Sequence, residues 1–426
     1  MSSLKDVVAS FKRKKADLRL IDFVNFKFQC QNDVLAIQNV RDEKLARFLQ
    51  ITQQLKQTYA TEGTYSEALF ELSNEQLKAL NRIADGEEAW ITDVLQSCAR
   101  QLLKVGQELD RRAKEESITA NKKKKVKGDL EEETFLEKCV RTIHTSFKLC
   151  LNDRNPDFQR NKKWGVYYFI NIEFKIYQQL GNRDMVRNLV KVIASRVSEL
   201  PAPEKALRSH RSQLITYLYY LGEHYGCHEG DYRRGFEYLQ RAWLGCPANA
   251  SQMSRQTDKI VALLVPFALL ASHWYPDMSA LAQYHPRVAL LYAPLIKSVL
   301  NGDLREFDKW LAANEMFLMR RNLYVATVLI RQLVLLKLIK TTRAGFKDPA
   351  ASVVPLASFV AAIRYSAKHS HVTHITDDDH DETECLLADL IARGYVRGYL
   401  SHANRVIVLS KSNPFPKLVS SPQSQL

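Results

Sequence analysis

His369 and His371 flank Ser370, and Asp377, Asp378 and Asp379 follow, so this segment is the first place to look for a metal centre. One type of zinc hydrolase holds its ion with H-S-H-P, seven residues, S, two residues and D. Two histidines and a distant carboxylate then leave one position open for water. Here Val372 stands in place of the proline, His380 in place of the serine and Thr383 in place of the aspartate. The third ligand is missing, and the histidines read as loop residues. Cys227 and His228 are adjacent, but they fall in the turn of a helical hairpin, where a structural thiol is expected rather than a nucleophile. The chain also lacks G-x-G-x-x-G, G-x-x-x-x-G-K-S/T, G-x-S-x-G and H-E-x-x-H. No catalytic residue, metal, cofactor or small-molecule substrate is expected, so the chain is read as a non-enzyme.

What the sequence offers instead is positive charge: 61 Lys and Arg against 47 Asp and Glu, a net +14. Such an excess attracts phosphates, anionic membranes or acidic proteins. Lys122, Lys123, Lys124, Lys125 and Lys127 form a self-repelling run that fits both a solvated linker and a nuclear import signal. The expected location is the nucleus, with the cytoplasm second. Arg320, Arg321, Lys340, Arg343 and Lys347 bracket one C-terminal helix that carries Lys337, and Arg397, Arg405 and Lys411 lie on a hairpin. On one face they would contact RNA or DNA phosphates without reading sequence. The helix that would enter a groove carries Thr383, Glu384 and Asp389 with only Arg393 basic, and phosphates would repel those carboxylates. Arg183, Arg187, Lys191, Arg208, Arg211, Arg233 and Arg234 form a third zone, suited to an acidic, disordered partner that folds on binding. Tyr217, Tyr219 and Tyr220 could anchor such a partner, but at least two are expected in the core.

The elements that must position these residues are helices. With 46% hydrophobic residues the 426-residue chain can bury a large core, and only 15 Gly and 13 Pro favour long helices. Seven cysteines with no C-x-x-C pair fit a reduced, intracellular protein. The N-terminus is too polar for a secretory signal, and Ile260 to Ala271, broken by Pro266, is too short to span a bilayer. Amphipathic helices are expected over 1–115, a basic linker over 116–133 and helical repeats over 134–320. Leu136, Val140, Ile143, Phe147 and Leu151 recur at helical spacing. Gly181-Asn182 stops the next helix, and Asp184 is placed to cap the one after. Leu221, Gly222, Tyr225, Gly235, Leu239, Ala242 and Pro247 approach the tetratricopeptide pattern, in which small residues let antiparallel helices touch.

Residues 321–417 change character. A helix from Leu323 to Lys340 is followed by one from Val353 to Ala367 and by a third opened by Asp381 and Glu384 as a capping box. Strands over Tyr395–Leu400 and Val406–Ser410 close the order of a winged helix. Residues 418–426 read as a disordered tail. The fold class is all-α: a TPR-like solenoid ending in a winged helix.

Helical repeats running into a winged helix are the layout of the PCI domain. The chain resembles one PCI subfamily over roughly residues 70 to 417. The resemblance rests on His144-Thr145-Ser146-Phe147-Lys148-Leu149-Cys150-Leu151-Asn152-Asp153-Arg154, Asn188-Leu189-Val190-Lys191-Val192 and Tyr219-Tyr220-Leu221-Gly222. It rests also on Gly398-Tyr399-Leu400-Ser401-His402 and Ser412-Asn413-Pro414-Phe415-Pro416. That subfamily holds fungal twelfth-subunit-type proteins associated with the COP-nine signalosome and the PCI subunit of a nuclear transcription-and-mRNA-export complex. The resemblance implies a scaffold without a catalytic centre, paired with a second PCI protein and a small acidic DSS/Sem-type protein, and with RNA or DNA contacted near the winged helix. The first expectation is a role in nuclear transcription, mRNA processing or export. The alternative is a signalosome role without nucleic acid. No membrane is expected as a partner.

Overall fold

The computed structural model describes residues 4–28, 37, 40–119, 133–202, 210–247, 254–348, 351–368 and 375–416, whose regular elements are helices apart from three short strands. The lysine run, Arg208, His369, His371 and the tail 418–426 lie outside the described residues. Two compact units, 1–217 and 218–426, divide the chain inside the expected 134–320 array. Among the described residues no helix is long and apolar enough to cross a membrane.

The first unit contains α1 (Leu4–Lys12), α2 (Leu18–Val24), α3 (Glu43–Glu62), α4 (Glu67–Ala84), α5 (Thr92–Thr119), α6 (Phe135–Leu151), α7 (Gly165–Leu180), α8 (Arg183–Ser195) and the start of α9 (Arg211–Glu223). From α3 to α8 each helix packs on the next. All five apolar stripe residues of α6 are buried, as their spacing predicts. Thr134 and Glu137 close a capping box at its N-terminus. The Asp110 carboxylate of α5 accepts from the Phe135 and Leu136 N–H groups at 3.0 and 3.1 Å, which ties the two helices together. The cap of α8 differs from expectation. Asn182 supplies it, accepting from Met185 N–H, and Asp184 lies in the first turn.

The first seventy residues are joined to this array by buried amides. Gln76 Nε2 donates to Val24 O and Thr52 Oγ1, Gln101 Nε2 donates to Gln76 Oε1, and Gln101 Oε1 accepts from Phe26 N–H. Their mutual satisfaction removes the penalty of burying polar groups.

Glu173 of α7 is fully buried, and its carboxylate meets His144 Nδ1 at 3.2 and 3.3 Å. Burial raises its pKa above the ordinary carboxylate value, against the smaller opposing pull of His144 and Lys148. The folded state therefore holds this proton more tightly than the unfolded chain. The resulting stability is complete below the unfolded pKa and is lost as pH rises through the folded one. Glu173→Gln is expected to raise Tm at pH 8 and to flatten its decline with pH. An unchanged pH profile in thermal melts would refute this.

The second unit continues from α9 through one π-helical turn (His224–His228) into α10 (Tyr232–Gly245), α11 (Ser254–Ser272), α12 (Met278–Tyr284), α13 (Pro286–Asn301), α14 (Leu304–Arg320) and α15 (Tyr324–Ala344). The small residues of the TPR-like hairpin act as their types predict. A Cβ on Gly235 would lie 3.0 Å from Gly226 Cα, so the two backbones touch. Cys227 sits in the π-helical turn rather than in an open loop, and its thiol donates to Arg321 O at 3.8 Å.

Strand β1 (Val353–Pro355), α16 (Leu356–Lys368), α17 (Asp377–Ala392), β2 (Gly398–Ser401) and β3 (Val406–Leu409) follow α15. The antiparallel sheet has the order β1-β3-β2, with Ile407 opposite both Val354 and Leu400. This is a winged helix, with two departures from expectation. Val353 to Pro355 form a strand, not the first turn of a helix: two β-branched residues before a proline disfavour the α region, and Val354 fills the core. The third helix opens at Asp377 behind a Thr376–Asp379 capping box, and Asp381 and Glu384 pair with Arg405 instead of capping. Leu335, Leu336, Ile339, Phe359, Leu387, Leu390, Val396, Ile407 and Leu409 form its core.

Candidate docking surface

The cations expected to form one phosphate-binding face are distributed otherwise. Arg320 and Arg321 lie where α14 ends and Arg343 and Lys347 lie at the far end of α15, about 30 Å away at 1.5 Å per residue. The two groups do not make one cluster. Arg405 Nη1 lies 2.5 Å from the Asp381 carboxylate and 3.4 Å from Glu384, and Nη2 lies 3.8 Å from Asp377. The ion pair holds Asp381 below its usual carboxylate range. This arginine therefore meets three carboxylates rather than open solvent. Arg397 and Lys411 are exposed.

One basic group does assemble. The Lys340 ammonium and Arg343 guanidinium lie 5.5 and 5.6 Å from the centre of the Phe415 ring. Burial, and then Lys337 nearby, lowers the Lys340 pKa. Phe415 packs on the winged-helix core, and Arg397 N–H donates to Pro414 O at 2.8 Å. The Asn413-Pro414-Phe415-Pro416 segment thus clamps the end of α15. Sequence reasoning gave Phe415 no role. Its signals are its place in the Ser412–Pro416 run and an aromatic between prolines near basic residues.

The polar positions of α17 are largely engaged within the fold. Thr383, counted among the polar positions of this helix, is buried. Asp389 accepts from Gln332 at 2.5 Å and pairs with Arg393 at 2.9 Å. Asp381, Glu384 and His402 bring their ligand atoms within 4.8 Å of one another, but Arg405 already supplies the cation there. Buried Cys98, Cys139 and Cys150 have thiols pushed up by desolvation, which suits packing and not nucleophilic chemistry.

The third basic zone falls in both units. Arg183, Arg187 and Lys191 recur every four residues along α8, and Arg211 opens α9, all exposed. Arg233 and Arg234 belong to α10 in the second unit, where Glu237 and Asp231 pair with them. Tyr217 is core, while Tyr219 and Tyr220 are half-buried, with burial raising both phenols.

The winged-helix sheet ends on β2, whose residues Gly398-Tyr399-Leu400-Ser401 carry no charge, and Tyr399 is 63% exposed. An edge strand meant to stay solitary usually carries a lysine, proline or bulge. β2, four residues long, has none of these and is protected only by its shortness.

A PCI domain model matches residues 311–411, from the middle of α14 through the winged helix. Over nearly the full length of both chains the sequence is 39% identical to the COP9 signalosome complex subunit 12 of Eremothecium gossypii (98% of this chain, 99% of the relative). It is 36% identical to that of Saccharomyces cerevisiae (96% and 99%). A CSN12 homolog of Debaryomyces hansenii is 32% identical over 81% of this chain and 80% of the relative. These names favour the signalosome alternative over mRNA processing or export. Matched end to end and ending in a PCI winged helix, the chain belongs to the family of COP9 signalosome complex subunit 12 proteins.

Proposed function

We propose that this protein is a non-catalytic scaffold subunit of a COP9 signalosome-type complex, joined to another PCI protein through its winged helix. The uncharged edge strand β2 carries the proposal. Main-chain groups along it can extend the sheet into a partner, and Tyr399 supplies an aromatic contact of the kind that dominates interfaces. Tyr399→Glu is expected to reduce co-purification with the PCI subunits of the signalosome roughly tenfold or more, with an unchanged melting profile. Equal recovery of partners by the variant would sink this interface.

An acidic DSS/Sem-type protein on the α8 arginines and nuclear import through Lys122–Lys127 are part of the same proposal. RNA or DNA contact is a second reading, now carried by Lys337, Lys340, Arg343 and Lys347 rather than by all nine cations.

A further inference from the structure

Within the first unit, α4 and α6 border an open groove of ≈ 940 Å³. Seven cationic side chains line it against two carboxylates, Asp85 and Asp153. Asp153 is committed elsewhere: its carboxylate lies 3.2 Å from the buried Lys162 ammonium and accepts from the Asn155 and Lys162 N–H groups. Lys78 pairs with Glu75, and Arg141 with Glu133. Lys44, Arg82, Lys148 and Arg154 are exposed and form no ion pair among the described residues. Holding so many like charges around one concavity is unfavourable unless an anion completes it.

The rest of the lining selects among anions. No aromatic ring lines the groove, so a nucleic-acid strand finds no stacking platform. Leu149 is its one apolar residue, so an acidic peptide finds little to anchor it. Asn152 offers an amide donor between the charges, while the Thr142 and Thr145 hydroxyls and the Asn81 amide already donate to Asn74 Oδ1, Arg141 O and Thr142 O. The volume falls within the range of small-molecule sites. Arginine forks and lysine point charges together suit closely spaced phosphates. We infer that this groove binds a compact, soluble polyphosphorylated ligand through Lys44, Arg82, Lys148 and Arg154. The site does not depend on the winged-helix interface and stands if that interface fails.

The test is calorimetric titration of the full chain with inorganic tripolyphosphate at low and high salt. Four proteins are compared: the wild type, Arg82→Glu/Lys148→Glu, the milder Lys44→Gln/Arg154→Gln, and Lys259→Glu/Lys297→Glu, two exposed lysines outside the groove, as a charge-matched control. Circular dichroism checks their folding. If the Glu double variant unfolds, the Gln double variant decides. Salt-sensitive binding is expected in the wild type and the control, weakened roughly tenfold or more by the Glu pair and less by the Gln pair. Equal affinity in all four proteins would overturn the site, since the net positive charge alone would then explain it. Hexaglutamate or a doubly phosphorylated peptide binding more tightly than tripolyphosphate, with the same variant pattern, would overturn the ligand class in favour of a protein segment.

Discussion

Gly302→Ala is expected to destabilise the second unit by about 2–4 kcal/mol, read as a lowered unfolding midpoint. Two costs combine. Gly302 holds φ +72, a left-handed conformation that charges an L-residue roughly 1–2 kcal/mol. Its added Cβ would also lie 2.9 Å from Leu338 N and 3.0 Å from Leu338 Cα, which are backbone atoms inside α15 and cannot rotate away. Around the same turn, the buried Ser366 hydroxyl donates to Gly302 O and accepts from Leu304 N–H, so α16 is tied to the start of α14. Gly63 is the control. Its φ is +66 but nothing lies within 4 Å of the added Cβ, so Gly63→Ala carries the conformational cost alone. Gly302→Asn separates the two terms, because asparagine tolerates the left-handed region yet keeps the clash. Equal losses for Gly63→Ala and Gly302→Ala would show that the close approach to Leu338 costs nothing.

Local order was legible from residue spacing wherever one helix packs by its own stripe. The α6 stripe, the Gly181 stop and the order of winged-helix elements all follow from positions a few residues apart. What escaped depends on partners distant in sequence. β1 is three residues long and exists because Val354 meets Ile407 across the sheet. Arg405 reads as a free cation in a polar turn, yet Asp381 and Glu384, more than twenty residues earlier, hold it. Phe415 gains meaning only when Lys340 and Arg343 arrive above it. The first seventy residues, outside the span of the resemblance, are seated by Gln76 and Gln101, amides whose partners lie far away in sequence. Charge composition located the basic residues but could not say which already had partners. That difference moves the weight of the docking proposal from the cations to the uncharged edge of β2.

Phe359→Ala separates a folded winged helix from a functional one. Phe359 is fully buried on α16 among residues of α15, α17, β1 and β3, so truncation leaves a cavity that no single element can close. The expected cost is about 3–5 kcal/mol, a large part of what a domain this size has to lose. Hydrogen exchange should then rise through residues 353–409 while the first unit keeps its protection. Phe359→Leu, which retains most of the volume, should cost less than about 1.5 kcal/mol. The two variants predict different assembly. Phe359→Ala should lose PCI partners together with its sheet, Phe359→Leu should keep both, and Tyr399→Glu should lose partners while the sheet stays protected. Partner binding retained by Phe359→Ala despite an exchanging sheet would show that assembly does not use the β2 edge. Loss of binding in step with loss of the sheet, and its separate loss in Tyr399→Glu, would place the contact on that edge.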